Sequence, residues 1–257
     1  MSIKITKGPL KVKSNQVYFC LQGKLQFHNL ALAETSQKAL TLFKKKVLTQ
    51  TDVQDNTNLI SEIGKPPGLD SLDALRLATQ KAVAKAITRK WKSLDIPLDC
   101  ASIEEVHAIV EGIKFGLYSF TRHKSKPSQA NIKVNVSLSV ALHKLVAKQI
   151  PNTIAVMDAV NICRDLVNEP GGDLTPQIYT KKIQTLFKGH KKVSLKIRNK
   201  AQLQKEGFNG LLTVGRGGPN PPVMVTLNYE PARAAKTKKL ALVGKGVTFD
   251  TGGLSLK

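Results

Sequence analysis

The chain has 257 residues and a mass of 28.0 kDa, with 41% hydrophobic, 23% charged and 5% aromatic residues; 40 Lys and Arg against 18 Asp and Glu give a formal net charge of +22. That apolar fraction, with only 18 Gly and 12 Pro, excludes a disordered, collagen-like or low-complexity chain, and the length admits one large or two modest domains. No apolar run approaches the about 18–20 residues that span a bilayer, and the N-terminus lacks the unbroken hydrophobic segment of a signal peptide, so the expectation is a soluble, cytoplasmic protein with no membrane partner.

In chain order, Val17, Tyr18, Phe19 and Cys20 read as a strand, and Leu40, Leu42 and Phe43 as another short element. From Ser71 to Trp91, apolar residues Leu72, Leu75, Ala78, Ala82, Val83, Ala86 and Ile87 recur at helical spacing, with Ser71 placed as N-cap. A second helix is expected over Ile103 to Tyr118, then a loop over Thr121 to Asn131 around Lys126-Pro127-Ser128. Alternation at Ile132, Val134, Val136 and Leu138 marks the strand that closes a first domain over residues 1–148.

The second domain, 149–257, opens on a helical pattern from Thr153 to about Asn168, stopped by Glu169-Pro170-Gly171-Gly172. Thr175-Pro176 starts another helix, since proline in the first turn gives up an N–H that would have no partner. Val193 to Ile197 alternates like a strand, and Gly210 to Val214, Val223 to Leu227 and Leu240 to Val243 are aliphatic runs expected as buried strands. Strands alternating with helices predict an α/β architecture.

Three scattered cysteines, Cys20, Cys100 and Cys163, form no CxxC pair, which points to a reducing compartment. The five histidines have no HExxH-like spacing and read as packing or surface residues. The charge is uneven: no acid lies between Glu111 and Asp158, and the stretch from Leu174 through Lys205 holds nine Lys or Arg and no acid. Such segments either contact a polyanion, nucleic acid or a ribosome, or form a solvated lysine coat, and the scarcity of aromatics for base stacking favours the coat.

The chemistry concentrates in VGKGVTFDTGGLSLK, Val243 to Lys257, where a hydrophobic strand runs out into a glycine-rich loop. In α/β folds ligands collect beyond the carboxyl ends of strands, which would put Lys245, Asp250 and Lys257 in a crevice. Gly244, Gly246, Gly252 and Gly253 allow close approach of a ligand, and a carboxylate among them suits a hard or borderline cation. The spacing fits neither GxxxxGK[ST] nor GxGxxG, so a nucleotide-phosphate loop is disfavoured.

That segment resembles the first metal-binding segment of the leucyl aminopeptidase family of two-metal exopeptidases. Three other blocks resemble the same family in the same order: VEGIKFGLYSFTRHKS from Val110, ICRDLVNEPGGDLTP from Ile162 and FNGLLTVGRGGPNPPVMVTLNYEP from Phe208. The resemblance is strong from about residue 70 onward and weak before it. It implies a macro-domain-like N-terminal α/β domain followed by the beginning of an α/β/α catalytic domain, peptide substrates and a homohexamer. It also implies two divalent metal ions, zinc or manganese first among the candidates, with Lys245 as an amine ligand, Asp250 as a bridging carboxylate and Lys257 as the catalytic group that polarises the scissile carbonyl. Each role is chemically intelligible: an amine ligates only after shedding its proton in the field of the cations, one carboxylate can hold two ions, and a lysine cation can stabilise an oxyanion.

The family pattern continues past Lys257 with further carboxylate ligands and an Arg that binds bicarbonate as base, and none of these has a counterpart here. The 257 residues are therefore expected to be a fragment inactive by itself. Asp165, Glu169 and Asp173 are expected as caps or surface groups. The alternative function is a non-catalytic, strongly basic aminopeptidase-like protein that binds nucleic acid or a ribosome.

Overall fold

The structure, a computed structural model, describes residues 2–7, 16–21, 24–26, 51–52, 58–62, 68, 70–98, 101–126, 132–231 and 239–247. They fall into two compact units, residues 1–164 and 165–257. In the first unit the strands are β1 (Ser2–Lys7), β2 (Gln16–Leu21), β3 (Lys24–Gln26), β4 (Thr51–Asp52), β5 (Asn58–Glu62), β6 (Ser93–Leu98) and β7 (Lys133–Leu138). They form one sheet in the order β1-β7-β6-β2-β5-β4, with β3 beside β2. Its central pairs are parallel, while β3 and β4 add antiparallel edges.

Register explains which face is buried. Ile3 and Ile5 lie opposite Val134 and Val136, which lie opposite Leu94 and Ile96, so the apolar residues of three strands share one face. The helices α1 (Ser71–Thr88) and α2 (Ile103–Leu117) join this face in a single core, contributing Leu75, Ala78 and Val83, and Val106, Ile109 and Ile113. Glycine spacing on α2 sets how closely the two helices approach. A Cβ at Gly112 would lie 2.6 Å from the Arg76 carbonyl oxygen and from Thr79 Cβ, and one at Gly116 would lie 2.7 Å from Val83 Cβ. Polar pairs frame the contact, with Arg76 bonded to Glu111 across the helices and to Asp73 at 2.6 Å within α1.

The expected strand at Val17–Cys20 is β2, and that at Ile132–Leu138 is β7. Leu40–Phe43 and residues 127–131 of the expected loop lie outside the described residues. The N-cap of α1 is Asp70, not Ser71: the Asp70 side chain accepts from the Asp73 N–H at 2.7 Å, and its charge also complements the positive helix end. Ser102 caps α2 in a reciprocal capping box with Glu105. Strand β6 was not expected, because Asp95 and Pro97 break its strand-like pattern. It pairs with β7 along its whole length and, among the described residues, with β2 at Asp95 opposite Gln16.

A short helix α3 (Val140–Val146) and the long α4 (Ile150–Asn168) follow β7. Leu142, Val146 and Ile150 enter the first unit's core. His107 on α2 is a packing residue, with Nδ1 2.6 Å from Thr153 Oγ1 on α4. Arg164 stacks 3.7 Å from the Tyr118 ring centroid.

The second unit contains α5 (Pro176–Phe187), β8 (Val193–Arg198), α6 (Lys200–Lys205), α7 (Asn209–Gly215) and β9 (Met224–Tyr229). Strands β8 and β9 are antiparallel, Val193 opposite Tyr229 through Arg198 opposite Met224. Arg198 and Lys196 both bind Glu206, and the Arg198 hydrogen bond is the main reason its carboxyl lies below the usual carboxylate range. Two expected strands differ. Gly210–Val214 lies inside helix α7, because Gly207, at φ 76°, ends α6 and the chain turns at once into another helical turn. Leu240–Val243 is not a strand: Leu240, Leu242 and Val243 are 86%, 88% and 98% exposed. No described strand pairs with this run, and without a partner its backbone gains no ladder.

Candidate metal centre

The end of α4 and the turn after it are built by local hydrogen bonds. The Pro170 carbonyl accepts from the N–H groups of Asp173 and Leu174, each at 2.9 Å. Glu169, expected as a cap or surface group, instead has a side chain only 2% exposed and binds Lys182 Nζ of α5 at 2.6 Å. Thr175 caps α5 by accepting from the Ile178 N–H, with Pro176 at the first helical position as expected. Gln177 Nε2 donates to the Pro221 carbonyl at 2.9 Å, tying α5 to the segment that leads into β9.

Of the three residues expected to carry the chemistry, the structure places one. Lys245 is exposed, in a segment, 239–247, without regular secondary structure; Asp250 and Lys257 lie outside the described residues. Gly246, directly after Lys245, lies against α5: a Cβ added there would be 3.2 Å from Tyr179 Cε1 and 3.8 Å from Cδ1. An equivalent atom at Gly244 would meet nothing within 4 Å. Sequence reasoning did not single out Tyr179, and nothing local to TPQIYTKK marks it.

Among the described residues no group of three or more His, Cys, Asp or Glu could hold a metal ion. Of the residues assigned to the metal site, the described chain shows Lys245, and its one amine is not a centre without Asp250 and further oxygen ligands. Also among the described residues, no helix is long and apolar enough to cross a membrane.

The model of the cytosol aminopeptidase family's catalytic domain matches residues 161–257. A probable cytosol aminopeptidase of Leifsonia xyli is 34% identical over 204 residues, covering 77% of this chain and 39% of the relative. One from Streptomyces griseus is 36% identical over 200 residues, covering 72% and 38%. The chain thus spans less than two-fifths of the length of these curated relatives. Among solved structures, a tomato leucine aminopeptidase mutant superposes with a TM-score of 0.77 over 98% of this chain and 55% of its own, at 20% identity, a likeness of fold. The bottromycin maturation enzyme BotP in complex with Mn gives 0.67 over 95% and 50%, at 28% identity. Family pattern, sequence identity and α/β fold agree, and the chain belongs to the cytosol aminopeptidase family.

Proposed function

We propose that the whole protein is a leucyl-aminopeptidase-like metalloexopeptidase that releases N-terminal amino acids from peptides, working in the cytoplasm as a homohexamer. The observation that carries this reading is VGKGVTFDTGGLSLK inside the region matched by the family's catalytic domain. In it, residues 1–148 form the N-terminal domain and residues 149–257 begin the catalytic one. Lys245 and Asp250 would help to hold two divalent ions, zinc or manganese; a Mn complex of a relative supports the second. When bound, such ions make a water nucleophilic near neutral pH. Lys245 would offer its amine and Asp250 its carboxylate to the ions, and Lys257 would donate to the oxygen of the scissile carbonyl as charge develops there. Bicarbonate would be bound by residues beyond these.

The test is hydrolysis of Leu-p-nitroanilide by the whole protein. Asp250→Ala should abolish it, and Lys257→Ala should lower kcat about 10²–10³-fold with metal content kept, as for other oxyanion-stabilising groups. Residues 1–257 alone should show no activity with Zn²⁺, Mn²⁺, Mg²⁺ or Co²⁺. An unchanged kcat in Lys257→Ala, or leucine release by residues 1–257 that Asp250→Ala removes, refutes the assignments.

A further inference from the structure

We propose that Tyr179 is a positioning residue for Lys245: the edge of its ring borders the backbone at Gly246 and limits where that segment can go. The inference deepens the metal-ligand reading of Lys245 and depends on it for its functional consequence. Three observations carry it. The Tyr179 ring approaches Gly246 closely enough that even a methyl group there would be crowded, 3.2 Å from Cε1. Gly246 has no left-handed backbone that would itself demand glycine, so what position 246 requires is room for the ring. The ring also sits on a tied element: α5 is capped by Thr175, bonded to Pro221 through Gln177, and joined through Lys182 to the buried Glu169 side chain.

The physical consequence concerns order. Residues 239–247 have no helix or strand to fix their backbone, and a lysine ligand brings several rotatable bonds of its own. A flat ring held on a rigid helix restricts the backbone from which that side chain starts, so less freedom is lost when Lys245 engages a cation. The role belongs to the carbon edge of the ring, not the hydroxyl, because the atoms that approach are Cε1 and Cδ1.

The experiment uses the metal-free whole protein and its Tyr179→Ala, Tyr179→Phe and Gly246→Ala variants. Trypsin can cut after Lys245, and the rate there is compared with cutting after Lys192. If the ring holds the segment, Tyr179→Ala raises cleavage after Lys245 about fivefold or more, following the larger open population, whereas Tyr179→Phe stays within about twofold. Mn²⁺ titration should give a Kd raised about tenfold in Tyr179→Ala and unchanged in Tyr179→Phe, the usual scale for groups that orient a ligand. Should Tyr179→Ala fail to fold, Gly246→Ala decides: it should loosen the segment in the wild-type background and add nothing in Tyr179→Leu. Wild-type cleavage in Tyr179→Ala, equal effects of Phe and Ala, or a Gly246→Ala effect that persists in Tyr179→Leu overturns the proposal. Lys245→Met separates the two readings: unchanged Mn²⁺ binding there removes Lys245 as a ligand, while the cleavage rates still decide whether Tyr179 holds the segment.

Discussion

Asp95 is 3% exposed on β6 and accepts a 2.5 Å hydrogen bond from Asn135 Nδ2 on the neighbouring strand. Burial pushes its carboxyl above the ordinary carboxylate range, and the Asn135 bond only partly opposes that shift. The sign follows from linkage. Below the unfolded value, about 3.9, both states are protonated; above it the unfolded chain ionises first, so the folded state loses stability as pH rises toward the folded value. Asp95→Asn keeps an acceptor for Asn135 without the charge. It should raise stability at pH 7, on the order of 1 kcal/mol from removing a costly buried charge. It should also flatten the decline above pH 4. Urea midpoints across pH 4 to 8 check this, and an equal or lower midpoint at pH 7 refutes it. The same scale shows how little of the site one residue discloses: Lys245 could be picked from its glycine-rich setting, but Tyr179 could not, since its meaning lies in a contact with Gly246, remote in sequence.

At the scale of elements, the close contact of α1 and α2 depends on missing side chains. Gly112 and Gly116, four apart, fall on the same side of α2 and let it approach the α1 backbone at Arg76 and the side chain of Val83. Gly112→Ala sharpens the question by its sign. In an open helix the change should stabilise by up to about 1 kcal/mol through helix propensity. Here the Cβ would sit 2.6 Å from a backbone oxygen, so the helices must part, and a net loss of about 1–3 kcal/mol is expected, as for overpacked cores. Chemical denaturation distinguishes the two, and a stabilised variant would show that α2 has room to shift. Periodicity located both helices, because each turn reports its own exposed and buried sides. It could not report their separation, which is fixed by atoms on the opposite helix.

For the whole molecule, the question is what a net charge of +22 does. Ion pairs do not reduce it, because their acids are already counted in that balance: Lys114 pairs with Asp158, Lys182 with Glu169, and Lys196 and Arg198 with Glu206. Lys181, Lys188, Lys191 and Lys192 remain exposed. Lysines of this kind offer mobile point charges, less suited than arginine to bidentate phosphate binding. Duplex DNA or RNA should therefore bind no tighter than about micromolar near physiological salt, with a log–log salt slope of about −0.9 per phosphate neutralised. Anisotropy titrations over a salt series measure both. Nanomolar, selective binding lost on changing Lys181, Lys191 and Lys192 to Glu would favour the non-catalytic nucleic-acid reading. Lys182 is left out of that set, because its reversal would also strand the buried Glu169 carboxylate.

Local chemistry was legible in the residues themselves. The start of α5 at Thr175-Pro176, the extent of α2 to within a residue and the stop after Asn168 follow from caps, proline and apolar spacing, whose partners lie within one or two turns. The glycine-rich run around Lys245 and Asp250 likewise disclosed the family through residue identity. Tertiary structure decided what depends on distant partners. It made β6 a strand despite Asp95 and Pro97, by pairing it with β7, and turned Gly210–Val214 into a helix. It left Leu240–Val243 unpaired among the described strands and set the edge of the Tyr179 ring beside Gly246. An aliphatic run carries the apolar surface for either a helix or a strand, and only the groups that come to lie beside it select between them.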